Sequence, residues 1–328
     1  MRVLLPTACL LLSLSGCQRQ QNNSLTVFFA GSLDAALRGF VADYQRDHPN
    51  LTVNLELGGS MEVARKVSDY GRRADLLFVA DYAVIDRILK PAFANCNIRF
   101  CSNAIVLAYT PASRHRELLT EATWPQVLLK DDVVVARADE RLAPIGYQTL
   151  LTWKLADLYY PASVRGASVY ETLKARVPEH LVVADVLALG PLLGTEADYI
   201  FTFRSVAHDQ NLEYLELPPQ INLGSPEFAD HYARVSVTYE SPGAEGTAET
   251  TVRGAPIVYG VSIPTNAENP EGAAEFLKAF LGDRGRAHLA DSGFTPLPVP
   301  LCDAPEKLPP ALRPLVRPVA PKPGGSRP

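Results

Sequence analysis

A chain of 328 residues, 47% of them hydrophobic, is long enough for more than one core, so two lobes are expected. Its 31 Lys and Arg residues are mixed along the chain with 36 Asp and Glu residues, for a net charge of −5. No basic stripe exists, which argues against a nucleic-acid partner. A small anionic ligand is compatible with this charge, because backbone N–H groups bind anions without net positive charge.

The N-terminal segment has the features of a secretory signal. A basic start at Arg2 precedes a short apolar run and then Leu14-Ser15-Gly16-Cys17. The run is too short to span a bilayer, so residues 1–16 are predicted to be a signal peptide. The Leu-x-Gly-Cys ending resembles a bacterial lipobox, which implies cleavage before Cys17 and lipid on its thiol. The alternative is an ordinary signal peptide with a chance cysteine. Residues 17–24 are then a polar, lipidated tether.

Three strand-and-helix units follow the tether. The predicted strands are residues 25–30, 51–57 and 74–80, and each precedes a predicted helix. This order predicts a parallel sheet whose ligand lies beyond the carboxyl ends of its strands. Two turns containing Gly and Ser occupy that edge and bring Ser32 and Ser60 to helix N-termini, where an anion is favoured. Either serine alone could be an ordinary N-cap.

The rest of the chain predicts a second lobe and a return to the first. A strand at 104–109 precedes Pro111, where the chain is expected to change lobes. Further strands are predicted at 132–136, 199–203 and 255–264, and helices at 144–158, from 184, and from 269 to 281. The expected organisation is a first part of lobe 1 at 25–108, lobe 2 at 109–254, a second part of lobe 1 at 255–302, and a disordered, proline-rich tail at 303–328.

Three cysteines remain once Cys9 leaves with the signal and Cys17 takes the lipid. An oxidising compartment permits a bridge between Cys96 and Cys101, which are close in sequence. The alternative is that both are ordinary small apolar residues. No histidine stands at ligand spacing near the cysteines, so no metal site is expected.

Ten short stretches of the chain match a known family in the same order. They are residues 27–33, 58–60, 74–76, 80–82, 144–147, 198–199, 204–207, 216–218, 221–223 and 256–260. Together they resemble tungstate/molybdate-binding proteins of ABC transporters, especially the archaeal-type branch, and the resemblance spans about residues 25–297. It implies a two-lobed α/β fold of the periplasmic-binding-protein type II, each lobe a mostly parallel sheet flanked by helices, with the ligand cleft between the lobes.

The resemblance also implies a role outside the cytoplasmic membrane. The chain is expected on the periplasmic or cell-surface side, tied to the membrane through its lipid. It would bind one molybdate or tungstate ion as a monomer, without a cofactor, and hand the ion to an ABC permease. No catalytic residue is expected.

Carried over by position, the resemblance assigns the ligand site. Ser32 and Ser60 would each give a hydroxyl and an N–H group to the anion. The turn at Ile145 and Gly146, and the helix start at Val186, would give N–H groups from the second lobe. This donor set is chemically coherent, because a dehydrated dianion needs many donors and helix N-termini supply neutral ones.

The sequence departs from the family at two positions. Archaeal-type proteins place carboxylates where this chain has Ala143 and Thr202. Losing both together suits tetrahedral recognition by hydrogen bonds, or a different oxyanion. Thr202 could donate its hydroxyl to the ligand or be an ordinary β-branched strand residue. Asp139 and Asp198 lie nearby, but a shifted register that brings either to the ligand is not expected.

Functions other than oxyanion transport would require other motifs in the sequence or a pocket of another size. A serine hydrolase is not expected, because no Gly-x-Ser-x-Gly motif appears and no histidine sits in a strand-end turn. A binding protein for another oxyanion or a small organic anion remains an alternative, because pocket radius separates these ligands. A sensory lipoprotein with the same fold is another.

Overall fold

The computed structural model describes residues 23–162, 166–243 and 246–320. The predicted signal peptide, Cys17 and most of the tether lie outside these residues. Within them no helix is long and apolar enough to cross a membrane. The helices are α1 (Asp34–Asp47), α2 (Ser60–Ser68), α3 (Trp124–Leu128), α4 (Pro144–Tyr159), α5 (Val169–Arg176), α6 (Arg204–Asp209), α7 (Ala229–Tyr232), α8 (Pro270–Leu281) and α9 (Asp283–Asp291).

The strands form two main sheets and a hairpin. They are β1 (Ser24–Ala30), β2 (Thr52–Gly58), β3 (Leu76–Val79), β4 (Ile98–Ser102), β5 (Ile105–Tyr109), β6 (Val135–Ala138), β7 (Val182–Val183), β8 (Tyr199–Phe203), β9 (Glu213–Glu216), β10 (Ser236–Gly243), β11 (Gly246–Arg253), β12 (Val258–Ser262), β13 (Thr295–Cys302) and β14 (Arg317–Pro318).

Lobe 1 is built on a seven-stranded sheet in the order β14-β13-β4-β12-β3-β1-β2. β1 pairs in parallel with both β2 and β3, as the three strand-and-helix units predict. β12 runs antiparallel between β3 and β4, because it returns from the other lobe. Phe78 of β3 packs edge-on against Phe280 of α8, with ring centroids 5.1 Å apart, so this helix covers one face of the sheet.

Lobe 2 is built on a five-stranded sheet in the order β7-β6-β8-β5-β9. β6 runs parallel to β7 and β8, and β5 runs antiparallel to β8 and β9. Trp124 and Trp153 both pack edge-on against Phe201, with ring centroids 5.6 Å away, so helices α3 and α4 cover the same part of the sheet. The predicted two-lobed α/β fold is confirmed, and each of its sheets also carries antiparallel strands.

The first crossing between lobes occurs earlier than predicted. Ile105–Tyr109 was expected to close lobe 1, but this strand pairs with β8 and β9 of the lobe 2 sheet. The chain therefore crosses at Asn103 and Ala104, not at Pro111. The apolar sequence of a buried strand is compatible with either sheet, so only its pairing with other strands decides to which lobe it belongs.

Three local elements also differ from the expectation. The segment after Asp81 contains a five-residue π-helix, Ile85–Leu89, and the predicted helix from 184 is a short 3-10 turn, Val186–Ala188. The β10–β11 hairpin was not predicted; it packs on α4, where Tyr147 stacks on Tyr239 at 6.1 Å between ring centroids. Its alternating polar and apolar residues give a weak signal, because one face remains in solvent.

The prediction of disorder from residue 303 onward is wrong for residues 303–320. β14 pairs in parallel with the end of β13, and short 3-10 turns lie between them. The side chains of Leu308 and Leu312 are buried, which anchors the segment on lobe 1. Proline removes backbone donors and lowers helix and strand propensity, but it does not prevent an irregular segment from burying apolar side chains.

Candidate functional site

Two serine turns lie side by side at the carboxyl edge of the lobe 1 sheet. β1 and β2 are adjacent and parallel, and their last residues, Ala30 and Gly58, face each other in register. Ser32 lies in the 3-10 turn that follows β1 and leads into α1, and Ser60 is the first residue of α2. Both side chains are buried. The sheet therefore brings two hydroxyls and two helix starts to one point, as the sequence predicts.

The hydroxyl of Ser60 is oriented by the neighbouring strand. The Ala80 N–H, just past the end of β3, donates to Ser60 Oγ at 3.0 Å. A hydroxyl that accepts a bond in this way keeps its own proton for another acceptor. Ser60 is therefore set to donate into the space beyond the sheet edge.

The hydroxyl of Ser32 is oriented by a chain of two further side chains. Asn103 Nδ2 donates to the Tyr259 hydroxyl at 3.3 Å, and the Tyr259 and Ser32 hydroxyls are 2.8 Å apart. Burial raises the pKa of Tyr259, so this hydroxyl keeps its proton. Tyr259 accepts from Asn103 and has its own proton to donate to Ser32 Oγ. The proton of Ser32 is then available to a ligand.

Asn103 connects this chain of hydrogen bonds to both lobes. It lies in the first crossing segment, and its Oδ1 accepts from the Ala104 N–H at 2.9 Å. Its Nδ2 also donates to Ser205 Oγ at 2.8 Å, at the start of α6 in lobe 2. The orientation of the Ser32 hydroxyl is thus fixed from the crossing between the lobes.

Lobe 2 places the N-terminus of α4 opposite the two serines. Ala143, Pro144 and Ile145 all line the cavity between the lobes. The first N–H groups of a helix have no acceptor within the helix, and Pro144 has no N–H, so Ile145 presents the first donor. The 16-residue helix also directs the positive end of its dipole at the cavity.

The prediction that Gly146 donates to the ligand has no support from the structure. Its N–H donates to the Ala143 carbonyl at 3.0 Å, and the residue is not among those that line the cavity. A Cβ at this position would lie 2.5 Å from the Asp139 carbonyl carbon. Glycine is therefore required for close backbone packing and not for contact with a ligand.

The cavity between the lobes is narrow. It leaves about 10 Å³ open to the centre of a water molecule, roughly the room that one water needs. The lobes are therefore close together. Residues of both lobes line it: Ala30, Gly31, Ser32, Gly58, Gly59, Ser60, Ala80, Ala143, Pro144, Ile145, Asp185, Val186 and Phe203.

The structure brings four of the predicted ligand residues together and leaves Thr202 out. Ser32, Ser60, Ile145 and Val186 line the cavity, whereas Thr202 does not. Its hydroxyl is fully buried and has no hydrogen-bond partner among the described residues. Successive side chains of a strand point to opposite faces of the sheet, so the neighbouring Phe203 reaches the cavity in its place.

Asp185 contributes a carboxylate that the sequence did not reveal as part of the cavity. Its Oδ1 accepts from the Leu187 N–H at 2.9 Å, and a Cβ on Gly31 would lie 2.6 Å from that oxygen. Burial raises the pKa of Asp185, and the charges of Glu62 and Asp34 act in the same direction. The cavity therefore combines neutral donors with one acid that resists ionisation.

Asp139 and Asp198, the two acids that the sequence places near the site, form ion pairs with arginines outside the cavity. Asp139 pairs with Arg141 at 2.5 Å and Asp198 with Arg114 at 2.7 Å. Burial opposes the ionisation of both, but bonds to the arginines and to backbone N–H groups lower the pKa of each carboxyl below its usual value. Neither lines the cavity, so they do not replace the carboxylates absent at Ala143 and Thr202.

Two further contacts join the lobes beside the cavity. The Tyr147 hydroxyl of α4 donates to Asp81 Oδ2 at 2.5 Å, while Asp81 Oδ1 accepts from the Ala83 N–H. The backbone of Gly59 packs so closely on the Leu142 carbonyl oxygen that a Cβ would lie less than 3.0 Å from it. Only glycine at position 59 allows the lobes to approach this far.

Sequence reasoning missed the roles of Asn103, Tyr259 and the Asp185 carboxylate. Tyr259 lies in a stretch that resembles the family, which was the available signal, but its partner Ser32 is far away in the chain. Among the described residues no cluster of three His, Cys, Asp or Glu side chains could hold a metal ion.

Comparisons with known proteins agree with this geometry. Residues 25–295 match the family described as bacterial extracellular solute-binding protein. The chain is 37% identical over 272 residues to an uncharacterised solute-binding protein of Petrotoga mobilis, with 82% of each chain covered. It is 32% identical over 319 residues to the molybdate/tungstate-binding protein WtpA of Pyrococcus abyssi, covering 88% of this chain and 90% of that protein.

A solved structure shows the same fold at low sequence identity. The periplasmic molybdate-binding protein of Azotobacter vinelandii matches with a TM-score of 0.58 and 15% identity, covering 84% of this chain and 99% of that one. The family and the relatives that match over most of the chain are described as solute-binding proteins and not as enzymes, in line with the expectation that no residue is catalytic. The chain belongs to the bacterial extracellular solute-binding protein family.

Proposed function

We propose that this protein captures molybdate or tungstate outside the cytoplasmic membrane and holds it between its lobes by hydrogen bonds. The observation that carries the proposal is the pair of oriented hydroxyls. Ser60 Oγ accepts from the Ala80 N–H, and the Ser32 hydroxyl lies 2.8 Å from the Tyr259 hydroxyl, so each serine has a partner that leaves its own proton for a ligand at the same end of the sheet. The N–H of Ile145 faces them from the other lobe.

Recognition by neutral donors suits a tetrahedral dianion. Hydrogen bonds to a charged partner are shorter and stronger than those between neutral groups. The N-termini of α2 and α4 add favourable dipoles without a fixed counter-charge. Two relatives are named as molybdate/tungstate-binding proteins, and these names support molybdate or tungstate as the ligand proposed for this chain. Without carboxylates at Ala143 and Thr202, we infer four-fold, purely hydrogen-bonded recognition.

The same proposal includes a membrane anchor and a transport partner. The Leu-x-Gly-Cys ending at Cys17 supports lipidation and a place on the periplasmic or cell-surface side of the membrane. Membership of the solute-binding protein family supports delivery to an ABC permease, and we propose that the protein does this as a monomer. A lipid-anchored binding protein stays close to the permease, which raises the effective concentration of one for the other.

Calorimetric titration tests the ligand. The protein is the chain from residue 17 onward with Cys17→Ser, titrated with molybdate, tungstate, sulfate and phosphate. We expect tight binding of molybdate and tungstate, and an upward shift of the melting temperature with these two ions by mass action. Tight binding of sulfate or phosphate alone would keep the anion site and reject the proposed ligand. No binding of any of the four would reject both.

The Asp185 carboxylate favours phosphate as the second candidate. Monohydrogen phosphate carries a proton that needs an acceptor, and Asp185 is a carboxylate inside the cavity. Molybdate and tungstate carry no proton near neutral pH, and an ionised Asp185 repels them. Replacing this residue therefore separates the two candidates.

Asp185→Asn is expected to tighten the binding of molybdate by roughly tenfold near neutral pH, about 1.4 kcal/mol. Asparagine keeps the cap on the Leu187 N–H and removes the negative charge. In the unchanged protein, affinity should rise as the pH falls toward the raised pKa of Asp185, because the neutral acid no longer repels the anion. Titrations between about pH 5.5 and 8 should show this slope, and Asp185→Asn should flatten it. Weaker binding by the variant, with phosphate as the tightest ligand, would support the second candidate.

Tyr259→Phe is expected to weaken molybdate binding by roughly 2- to 10-fold, the effect of one net hydrogen bond. The variant keeps the buried ring and removes the donor that orients Ser32. Titration calorimetry gives the affinity, and Tyr44→Phe is the matched control, because Tyr44 is a buried tyrosine of α1 away from the cavity. Equal affinities for Tyr259→Phe and the unchanged protein would show that the orientation of the Ser32 hydroxyl does not depend on Tyr259.

A further inference from the structure

We propose that Cys96 and Cys302 form a disulfide that fastens the C-terminal part of the chain to lobe 1. Cys302 is the last residue of β13, and Cys96 lies two residues before β4. The two strands are neighbours in the seven-stranded sheet and run antiparallel. The proposal departs from the pairing of Cys96 with Cys101 that the sequence suggested.

Strand register brings the two cysteines together. Cys302 faces Ile98 across the ladder, so Cys96 occupies the adjacent diagonal position on the same face. The pairing continues past the end of the strand, because the Asn97 N–H donates to Asp303 Oδ1 at 2.8 Å and the Asp303 N–H reaches the Asn97 carbonyl at 3.4 Å. Diagonal neighbours in such a ladder have Cα atoms about 7–8 Å apart and Cβ atoms somewhat closer, so a bridge at the end of these strands needs only a slight approach of the two backbones.

The side chains meet in a closed environment. Both cysteines are buried as free thiols, and the interaction between them lowers the pKa of Cys302 and raises that of Cys96. The Cys96 carbonyl accepts from Ser262 Oγ at 2.7 Å, which fixes this part of the backbone on β12. The two sulfurs are therefore adjacent and held in place.

Cys101 is excluded as a partner by the same register. It faces Pro296 on β13 and lies three residues along β4 from Ile98, about 10 Å in an extended strand. Cysteines whose Cα atoms are more than about 7 Å apart cannot be bridged without movement of the backbone. Cys101 is completely buried, and burial raises the pKa of its thiol. It is expected to stay reduced.

The oxidation is a thiol–disulfide exchange with an extracytoplasmic protein disulfide. The Cys302 thiolate attacks that disulfide, forming a mixed disulfide and releasing one thiolate of the oxidant. The Cys96 sulfur, after losing its proton, attacks the Cys302 sulfur and releases the second thiolate. Two thiols thus lose two electrons and two protons, and the oxidant becomes a dithiol. The exchange takes place before β13 packs, because both sulfurs are buried afterwards.

The bond would add a covalent link to the non-covalent contacts that hold the segment after β13 on lobe 1. Beyond Cys302 the chain depends on the two-residue strand β14 and on the buried side chains of Leu308 and Leu312. A covalent link at Cys302 keeps β13 in place beside β4 if this segment opens. Extracellular proteins persist where disulfides form, which suits the family of this chain.

Peptide mapping tests the proposal on the exported, full-length protein. Thiols are alkylated under denaturing conditions without reduction, and the protein is then digested with trypsin. Cleavage after Arg99 separates Cys96 from Cys101, and cleavage after Arg286 and Lys307 isolates Cys302. We expect a linked pair of peptides, 88–99 with 287–307, two hydrogens lighter than the sum of the reduced forms. The peptide 100–114 should carry an alkylated Cys101.

Two variants and a stability measurement complete the test. Cys302→Ser should leave Cys96 alkylated, whereas Cys101→Ser should leave the linked pair intact. Reduction should lower the melting temperature of the unchanged protein by about 5 °C or more, and should not affect Cys302→Ser. If Cys302→Ser does not accumulate, mapping of the unchanged protein decides the matter. A link between Cys96 and Cys101, or alkylation of all three cysteines, would overturn the proposal.

Discussion

We expect Ser60→Ala to lower the affinity for molybdate by about 10- to 100-fold. A hydrogen bond from a neutral hydroxyl to a buried anion contributes about 1.5–3 kcal/mol, and each 1.4 kcal/mol is a factor of ten. The variant loses this bond and also leaves the Ala80 N–H without its partner. Titration calorimetry measures the affinity, and thermal melting without ligand measures the second, structural cost.

The matched control is Ser68→Ala at the other end of the same helix. Ser68 donates to Asp69 Oδ1 at the surface and does not line the cavity, so its loss should leave the affinity unchanged. Ser32→Ala should weaken binding as Ser60→Ala does, because the two hydroxyls are equivalent donors. If Ser32→Ala and Ser60→Ala both bind molybdate as tightly as the unchanged protein, the hydroxyls do not contact the ligand and the proposed site is wrong.

Gly59→Ala should act as a wedge between the lobes. Gly59 has ordinary backbone angles, φ −63° and ψ 144°, so alanine is tolerated locally. Its Cβ would nevertheless collide with the Leu142 carbonyl oxygen, a backbone atom of the other lobe. The lobes would have to stay further apart, and donors from the two lobes could no longer reach one anion together. We expect the affinity for molybdate to fall at least about tenfold, or 1.4 kcal/mol.

Small-angle scattering separates this wedge from a general loss of stability. The radius of gyration with molybdate should be larger for Gly59→Ala than for the unchanged protein. The unliganded melting temperature should fall only slightly, because an N-cap change from glycine to alanine costs at most about 1 kcal/mol. Gly282→Ala serves as the control, because it also has a negative φ and lies in lobe 1 between α8 and α9, away from the cavity. An unchanged radius and affinity for Gly59→Ala would mean that closure does not require this contact.

Local sequence patterns were enough to predict the two halves of the site that lie in regular elements. The apolar runs before Gly31-Ser32 and Gly58-Gly59-Ser60 are strands, and each turn leads to a helix, because hydrophobic periodicity changes at the glycine. The start of α4 at Pro144 follows from the preference of proline for the first turn of a helix. These signals depend on neighbours in the chain, which the sequence contains in full.

Contacts between distant parts of the chain decided the rest. Ile105–Tyr109 joined the second sheet because it pairs with β8 and β9, which no local pattern specifies. Thr202 and Gly146 do not line the cavity, because strand facing buries the Thr202 hydroxyl elsewhere and the Gly146 N–H bonds to the Ala143 carbonyl. Cys302 came to lie beside Cys96 only through the register of β13 on β4.

The sequence by itself therefore determined the strands, the helices and the serines at the sheet edge, since local periodicity and glycine turns encode them, and its resemblance to known proteins indicated the family and the two-lobed fold. Only the tertiary structure decided which hydroxyl protons are available to a ligand. The Ala80 N–H orients Ser60, and Asn103 acting through Tyr259 orients Ser32. Hydrogen-bond direction depends on the partner that a group meets in space, and these partners come from other strands and from the crossing between the lobes.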